Sequence, residues 1–339
     1  MKPVHRFVAM ALGVLLALSL VPASHAQAQG DSRRAEHDRV VAFWTKDKVA
    51  KAKGRDFVLD PKTKRFKPSA KPGGGGSTQT VLGASWTSGG AVVQTTGKVL
   101  FALGSSYYVC SASVVDDGKN NDDRSIILTA GHCVYDETNQ QWATNWMFIP
   151  DYDAKPASLT TSGSFCAETL YGCWVADFLV ASSKFTTAGG FNQQATVHDY
   201  AFAVVSEGVG PSGNAQLDGT VGTQPMKTDT RTLKAETYLF GYPAAGKYNG
   251  KDLVYSRGPL GTDPYNDNLT YRVSSDMTGG CSGGPWFQGF SGGSGTLMSV
   301  NSYGYSGIKA MHGPQLNSET ESMFKDAGTK SLDGGNITS

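Results

Sequence analysis

Short apolar runs alternate with clusters of glycine, serine, asparagine and aspartate along the chain from Val81 onward. The runs are rich in β-branched and aromatic residues, which favour strands, and the residues between them favour turns. They lie at residues 97–103, 107–115, 125–129, 201–205, 237–240 and 296–300. Short strands with turn signals between them predict an all-β sandwich or barrel.

One segment near the C-terminus has the pattern of a helix instead. Ser318 and Glu321 form a capping-box pattern, Met323 and Phe324 supply apolar positions, and Gly328 is a stop signal. We therefore expect an all-β body followed by a single convincing helix.

The N-terminus has the three parts of a secretory signal peptide. A short basic start is followed by an almost uninterrupted apolar run at residues 8–21, and small residues stand at cleavage positions around Ala26 and Ala28. A membrane anchor needs roughly 20 apolar residues, and this run is shorter. We assign residues 1–28 to a signal peptide and expect a secreted protein, extracellular, or periplasmic in a host with an outer membrane.

Residues 29–79 differ from the rest of the chain in net charge and in the spacing of their apolar residues. Residues 35–53 carry apolar positions among many charges and predict an amphipathic helix, and the glycine-rich stretch from Lys71 to Thr78 predicts a flexible linker. Residues 31–72 hold 13 Lys and Arg against 6 Asp and Glu, whereas residues 73–339 hold 15 against 23. Opposite charges give this leader a surface on which to dock, which favours a pro-segment over a disordered tail without function.

The composition of the body excludes one class of partner and leaves the cysteine pairing open. Its negative net charge and lack of a basic run argue against nucleic acid. The chain has five cysteines, so an exported protein can form disulfides and one thiol must remain unpaired.

Three local motifs carry candidate chemistry. His132 lies in Thr-Ala-Gly-His-Cys after an apolar strand, and Asp199 precedes a strongly apolar strand, where a carboxylate needs a partner such as an imidazole N–H. Ser282 lies in Gly-Gly-Cys-Ser-Gly-Gly-Pro, whose glycines let backbone N–H groups point at a carbonyl oxygen.

In this chain order the three motifs resemble the trypsin-like serine endopeptidases, in particular secreted microbial members similar to the glutamyl endopeptidases. The resemblance covers roughly residues 89–328. It implies two six-stranded antiparallel Greek-key β-barrels and a C-terminal helix, in a protease domain at residues 80–339 that follows the signal peptide and the pro-segment.

The resemblance also implies a role for each residue. Ser282 is the expected nucleophile, His132 the general base and Asp199 the residue that orients the imidazole. The N–H groups of Gly280 and Ser282 are expected to form the oxyanion hole. Ser302, Tyr303 and Gly304 stand where the family has the strand that pairs with the substrate backbone.

The expected disulfides follow from the same resemblance. The family joins the cysteine of the strand before the histidine to the one after it, which fits Cys110 and Cys133, and Cys166 and Cys173 can clip a small loop. Cys281 is then unpaired, where trypsin has the Asp that binds its new amino terminus. A thiol cannot form that ion pair, so we expect the leader to act as a folding aid or steric block.

Substrate preference is predicted from the residues expected around the specificity pocket. Asp276 lies six residues before Ser282, where trypsin has its pocket carboxylate, and this favours cleavage after Lys or Arg. Thr278 replaces the cysteine that braces this wall in trypsin, and Gly313 lies on the opposite side after His312. Cleavage after acidic residues, and Asp276 as a residue that only caps its loop, are the alternatives.

Taken together, these motifs predict an enzyme that acts on protein or peptide substrates and is held by its own pro-segment. We expect a monomer without a cofactor, metal site, nucleic-acid partner or membrane partner. The competing hypotheses are a catalytically silent binding or adhesion protein with the same fold, and an esterase with the same triad.

Overall fold

The computed structural model describes residues 23–60, 66–68, 80–119, 122–155, 165–229 and 231–339. Its leader elements are helices α1 (Ala23–Phe43) and α2 (Lys46–Lys51) and strands β1 (Lys53–Gly54), β2 (Phe57–Leu59) and β3 (Phe66–Pro68). The helix predicted at residues 35–53 thus begins earlier and is interrupted, because the Thr45 hydroxyl accepts the Lys48 N–H and starts a new helix. Residues 1–22 of the predicted signal peptide and the glycine-rich linker lie outside the described residues.

The body is mostly β-structure, which confirms the predicted fold class. Its strands are β4 (Val81–Ser85), β5 (Thr96–Leu103), β6 (Ser106–Val115), β7 (Ser125–Thr129), β8 (Tyr135–Asp136), β9 (Gln141–Trp142), β10 (Thr144–Pro150), β11 (Cys173–Ala181), β12 (Ala201–Val209), β13 (Glu236–Gly241), β14 (Val254–Pro259), β15 (Gly261–Thr262), β16 (Tyr271–Ser274), β17 (Pro285–Ser291), β18 (Ser294–Val300), β19 (Tyr303–Tyr305), β20 (Ile308–Gly313) and β21 (Ile337–Thr338). Its helices are α3 (Ala91–Thr95), α4 (Ser183–Thr186), α5 (Gln193–Val197), α6 (Leu217–Val221) and α7 (Ser318–Thr329), with 3₁₀ turns at Gly131–Cys133, Phe165–Glu168 and Pro264–Asn266.

The first half of the body is a closed barrel of six antiparallel strands. The strands follow the order β6-β5-β10-β11-β12-β7, and β7 pairs back with β6. Every residue of β5 and β7 is buried, which explains the apolar runs at residues 99–103 in β5 and 126–128 in β7. Closure leaves no free sheet edge within this ring.

The second half of the body consists of two sheets, which complete the expected trypsin-like double-barrel fold. A five-stranded sheet has the order β18-β17-β13-β14-β4. The body strands β15, β16, β20 and β19 form the other sheet, and the leader strands β2 and β3 extend it. A second hydrophobic cluster that includes Leu239 and Trp286 fills this half.

The C-terminal helix α7 begins one residue earlier than the capping pattern predicted. The Asn317 side chain accepts the N–H groups of Glu319 and Thr320, and the Thr320 hydroxyl accepts the Asn317 N–H. The cap is therefore Asn317 with Thr320, not Ser318 with Glu321. Asparagine is as good a cap as serine, so local sequence alone does not separate the two.

The leader packs against the first barrel through helix α1. Val40, Val41 and Trp44 are buried in the main hydrophobic cluster, and His37 Nε2 lies 2.9 Å from Asp177 Oδ1. No helix in the described part of the chain is long and apolar enough to cross a membrane.

Candidate active site

The two halves of the body meet at the buried pair His132 and Asp199. His132 follows β7 in a 3₁₀ turn and Asp199 precedes β12, and the pairing of these strands brings both side chains to one end of the ladder. Asp199 Oδ2 lies 2.7 Å from His132 Nδ1, and Oδ1 accepts the His132 backbone N–H at 2.8 Å. The Ser302 hydroxyl donates to Oδ2 at 2.5 Å, so three donors hold one fully buried carboxylate.

Ser282 stands on a tight loop that both halves fix in place. Its carbonyl accepts the Ser111 N–H at 2.7 Å, and the Asn301 side chain donates to the Cys281 carbonyl at 2.9 Å. Gly280 has φ of 102°, and a Cβ there would lie 2.7 Å from the Tyr242 carbonyl oxygen. Only glycine fits this position, and it turns the Gly280 N–H toward the cleft, where it donates to the Asp56 carboxylate of the leader.

The cysteines pair as the resemblance implied. Cys110 is bonded to Cys133, which ties β6 to the residue after His132, and Cys166 is bonded to Cys173. Although the sulfurs of Cys110 and Cys133 lie near the His132 ring, the disulfide removes both as metal ligands. Cys281 is a buried free thiol, and burial raises its pKa well above the usual value, which keeps it neutral.

A cavity of about 250 Å³ opens beside Ser282. Four residues expected to contact substrate line it: Thr278, Ser302, Tyr303 and Gly304. Most of the remaining body wall is apolar and includes Met277, Tyr305, Ile308, Ala310 and Met311. A pocket of this kind fits an uncharged side chain.

The expected role of Asp276 is not supported by its position. Ser275 and Met277 line the cavity, so in this extended segment Asp276 points to the opposite face. There its carboxylate accepts Lys247 Nζ at 2.8 Å and the Tyr248 hydroxyl. A carboxylate that is already paired outside the cavity offers no charge to a basic substrate side chain.

The opposite side of the predicted pocket is also built differently. Gly313 is packed inside β20, where a Cβ would lie 2.3 Å from the Val300 carbonyl oxygen, and it does not belong to the cavity wall. His312 is buried and stacked on Tyr303, with Nε2 3.9 Å from Asp263 Oδ1. Burial lowers the pKa of His312 to about 4, so it is neutral at pH 7 and supplies no charge for an acidic substrate.

The sequence did not reveal that leader residues belong to this site. Asp56, Phe57 and Val58 form part of the cavity wall, and the Phe57 ring stacks on Phe191 with ring centres 3.7 Å apart. The available signal was the apolar run Phe-Val-Leu before Asp60 and Pro61, which is typical of a short strand that ends in a turn.

Comparison of the structure with solved structures identifies relatives. The thermostable serine protease AL20 from an extremophilic microorganism is 33% identical, covers 71% of this chain and 100% of its own, and superposes with a TM-score of 0.57. The protease Anisep from Arthrobacter nicotinovorans is 33% identical over 73% of this chain and 99% of its own, with a TM-score of 0.57. A Glu endopeptidase is similar in fold at 17% identity and a TM-score of 0.53, over 73% of this chain and 97% of its own. No protein-family model and no curated protein sequence matches the chain.

Proposed function

The chain belongs to the chymotrypsin-like serine proteases, and from this premise we propose that it is a secreted serine endopeptidase acting through a His132–Asp199–Ser282 triad. The observation that carries the proposal is the buried His132–Asp199 pair at 2.7 Å, beside a serine on a glycine-rich loop. The fold alone would serve a binding protein equally well. Burial of a carboxylate costs free energy, which two donors of His132 and the Ser302 hydroxyl offset here, and catalysis gives this arrangement a use.

The mechanism follows from the positions of these groups. The Ser282 oxygen attacks the scissile carbonyl while His132 Nε2 takes its proton, and His132 then gives that proton to the leaving amine. Water hydrolyses the resulting ester by the same route. Asp199 fixes the imidazole tautomer, because Nδ1 donates to its carboxylate.

The oxyanion of the tetrahedral intermediate is assigned to the N–H groups of Gly280 and Ser282. Each such donor contributes on the order of 3 kcal/mol to lowering the barrier. The Gly280 N–H already donates to a carboxylate oxygen, which supports its ability to hold a negative oxygen.

We propose a preference for uncharged, apolar side chains at the cleaved residue, in place of the basic preference that Asp276 suggested. Met277, Ile308 and Met311 supply flexible apolar walls, and Ser275 and Thr278 are the small polar groups among them. Asp276 and His312 are two of the titratable residues next to cavity residues in the sequence. Asp276 is paired outside the cavity, and burial holds His312 neutral.

We propose that the chain consists of a signal peptide (residues 1–28), a pro-segment (29–79) and a protease domain (80–339). The AL20 protease is matched over its whole length by 71% of this chain, which leaves room for segments outside the enzyme domain. Two disulfides support folding in an oxidising compartment and therefore secretion.

Labelling with an organophosphonate tests the reaction class. We expect one labelled serine in the processed protein, loss of label and of peptide cleavage in Ser282→Ala, and retention of both in the control variant Ser291→Ala. Ser291 is exposed at the end of β17, so its loss should not alter the site. Processed protein that folds but neither takes the label nor cleaves peptides would favour the silent binding protein.

Cleavage profiling on a proteome-derived peptide mixture tests the pocket. We expect cuts after apolar residues, no change in Asp276→Ser, and a shift to smaller residues in Ala310→Leu, because Ala310 lines the cavity. Cuts after Lys or Arg that disappear in Asp276→Ser would restore the basic preference.

A further inference from the structure

Leader residues 53–59 lie across the candidate active site as two short strands. Strand β1 pairs with β6, with Gly54 opposite Val109, and β2 pairs with β19, with Phe57 opposite Tyr303. The segment between them therefore crosses the cleft from the first barrel to the strand that is expected to bind substrate.

The Asp56 carboxylate occupies the place of the expected oxyanion. The Gly280 N–H donates to it, and the Ser282 hydroxyl lies 3.5 Å from Oδ1. A Cβ added to Gly279 would collide with this carboxylate, so the acid lies directly on the loop before the serine. The group that fills the oxyanion hole is thus a side-chain carboxylate, which has no amine leaving group and cannot be cleaved as a peptide bond can.

This contact also separates the nucleophile from its base. Ser282 Oγ is hydrogen-bonded to Asp56, while His132 Nε2 is buried and has no hydrogen-bond partner among the described residues. Proton transfer from the serine requires hydrogen-bond contact with this nitrogen. The described arrangement is therefore not ready for attack.

The direction of the leader is opposite to that required of a substrate. The leaving amine lies beside His132, so the substrate residues that precede the cleaved bond must lie along β19. Their residue numbers must increase toward the triad. The leader instead starts next to the triad at Phe57 and leaves it along β19, because β2 and β19 are parallel. It thus reaches the same strand without presenting a peptide carbonyl to Ser282.

Several contacts outside the oxyanion hole hold the segment in this position. The Arg55 guanidinium donates to the His132 carbonyl at 2.6 Å and to Glu137 Oε2 at 3.0 Å, and both side chains are largely buried. A Cβ on Gly54 would lie 2.5 Å from the Gly279 carbonyl carbon, which shows how closely the two backbones approach. Gly54 thus permits an approach that no other residue allows.

We propose that residues 53–59 are a built-in inhibitor that runs backwards through the active site and blocks the oxyanion hole with the Asp56 carboxylate. The proposal rests on the proposed function, since it needs Ser282 to be a nucleophile. It assigns a specific chemistry to the leader, which is a carboxylate-bearing peptide bound in the reverse direction, and it predicts that this segment resists cleavage by its own enzyme.

A small fluorophosphonate tests the proposal, because it must reach Ser282 and the oxyanion hole but not the rest of the cleft. The full-length chain is labelled for short times, and labelled precursor is separated from labelled processed protein by size. We compare the natural sequence with Asp56→Ala, Gly54→Val and the control Asp38→Ala, which alters an exposed aspartate of α1. Asp56→Ala removes the two hydrogen bonds of this side chain, with the Gly280 N–H and the Ser282 hydroxyl, and their loss corresponds to about ten- to a hundredfold.

We expect the natural precursor and Asp38→Ala to label slowly, and Asp56→Ala and Gly54→Val precursors to label about ten- to a hundredfold faster. All four should label at one rate after the leader has been removed. A natural precursor that labels as fast as its processed form, or an Asp56→Ala precursor that stays as slow as the natural one, would overturn the proposal. Processed proteins that never label would refute the proposed function itself.

Mass spectrometry of the released leader gives a second, independent readout on the natural sequence. We expect the bonds between Lys53 and Leu59 to stay intact while the chain is cut elsewhere. Rapid cleavage on either side of Asp56 would show that the segment binds as a substrate and would overturn the reverse orientation.

Discussion

The pH dependence of leader docking offers a sharp test of how Asp56 is bound. Burial raises the pKa of Asp56 from 3.8 to about 6, and the nearby His132, the Gly280 N–H and the Ser282 hydroxyl only partly offset this effect. Docked leader therefore binds a proton more tightly than free leader. Docking should be strongest below pH 4, weaken as the pH rises toward 6, and change little above that.

The size of the effect follows from these two pKa values. At about 1.4 kcal/mol for each unit of pH, the change from 3.8 to about 6 corresponds to about 3 kcal/mol, or roughly a hundredfold in the docking equilibrium. The other ionisable groups around the segment do not reverse the sign. Arg55 is paired with Asp136 and Glu137, and burial keeps the Cys281 thiol neutral.

The assay is the rate of phosphonate labelling of precursor divided by that of leader-free enzyme, measured from pH 4 to pH 8. The division removes the effects of pH that are common to both forms. We expect the ratio to rise as the pH approaches 6, and to be nearly constant in Asp56→Asn, which keeps the shape of the side chain without its ionisation. A ratio that falls with pH, or an equal slope in Asp56→Asn, would refute the reasoning.

Three further predictions concern the body. Ser302→Ala removes one of the donors to the Asp199 carboxylate, so kcat should fall about tenfold with little change in KM. Steady-state kinetics on the processed enzyme measures both constants, and an unchanged kcat would contradict a positioning role for Ser302. Cys281→Ala should leave peptide cleavage nearly unchanged, and the native thiol should not react with an aromatic disulfide reagent until the protein unfolds, because it is buried. Replacing both Cys110 and Cys133 by alanine should lower the free energy of unfolding by about 3 kcal/mol in denaturant titrations, and a loss near zero would show that the bridge is not formed.

The residues that sequence analysis located well are those whose neighbours in the chain define their chemistry. His132, Asp199 and Ser282 each lie in a local motif, and their order in the chain was enough to suggest the fold that brings them together. The strands β5, β6 and β7 were likewise marked by runs rich in β-branched and aromatic residues, most of which are buried.

The predictions that differed from the structure depend on geometry that local sequence does not encode. Asp276 has the expected distance from Ser282 along the chain, but successive side chains in an extended segment face opposite ways, and the loop sets which of them enters the cavity. Strands β1 and β2 are short and pair with distant partners, so nothing within residues 53–59 shows what they bind.

The state of the serine loop indicates what removal of the leader has to achieve. In trypsin, an aspartate before the nucleophile binds the new amino terminus, and Cys281 cannot do so. Here the same loop is held by other means, since Asn301 donates to the carbonyls of Phe240 and Cys281 at 2.8 and 2.9 Å, and Cys281 packs in the second hydrophobic cluster. The Gly280 N–H already faces the cleft while the leader is docked. Inhibition by the leader is therefore occupancy of a formed site rather than distortion of an unformed one. Activation requires the departure of residues 53–59 and the turn of the Ser282 hydroxyl from Asp56 to His132 Nε2, but no rearrangement of the loop that carries Ser282.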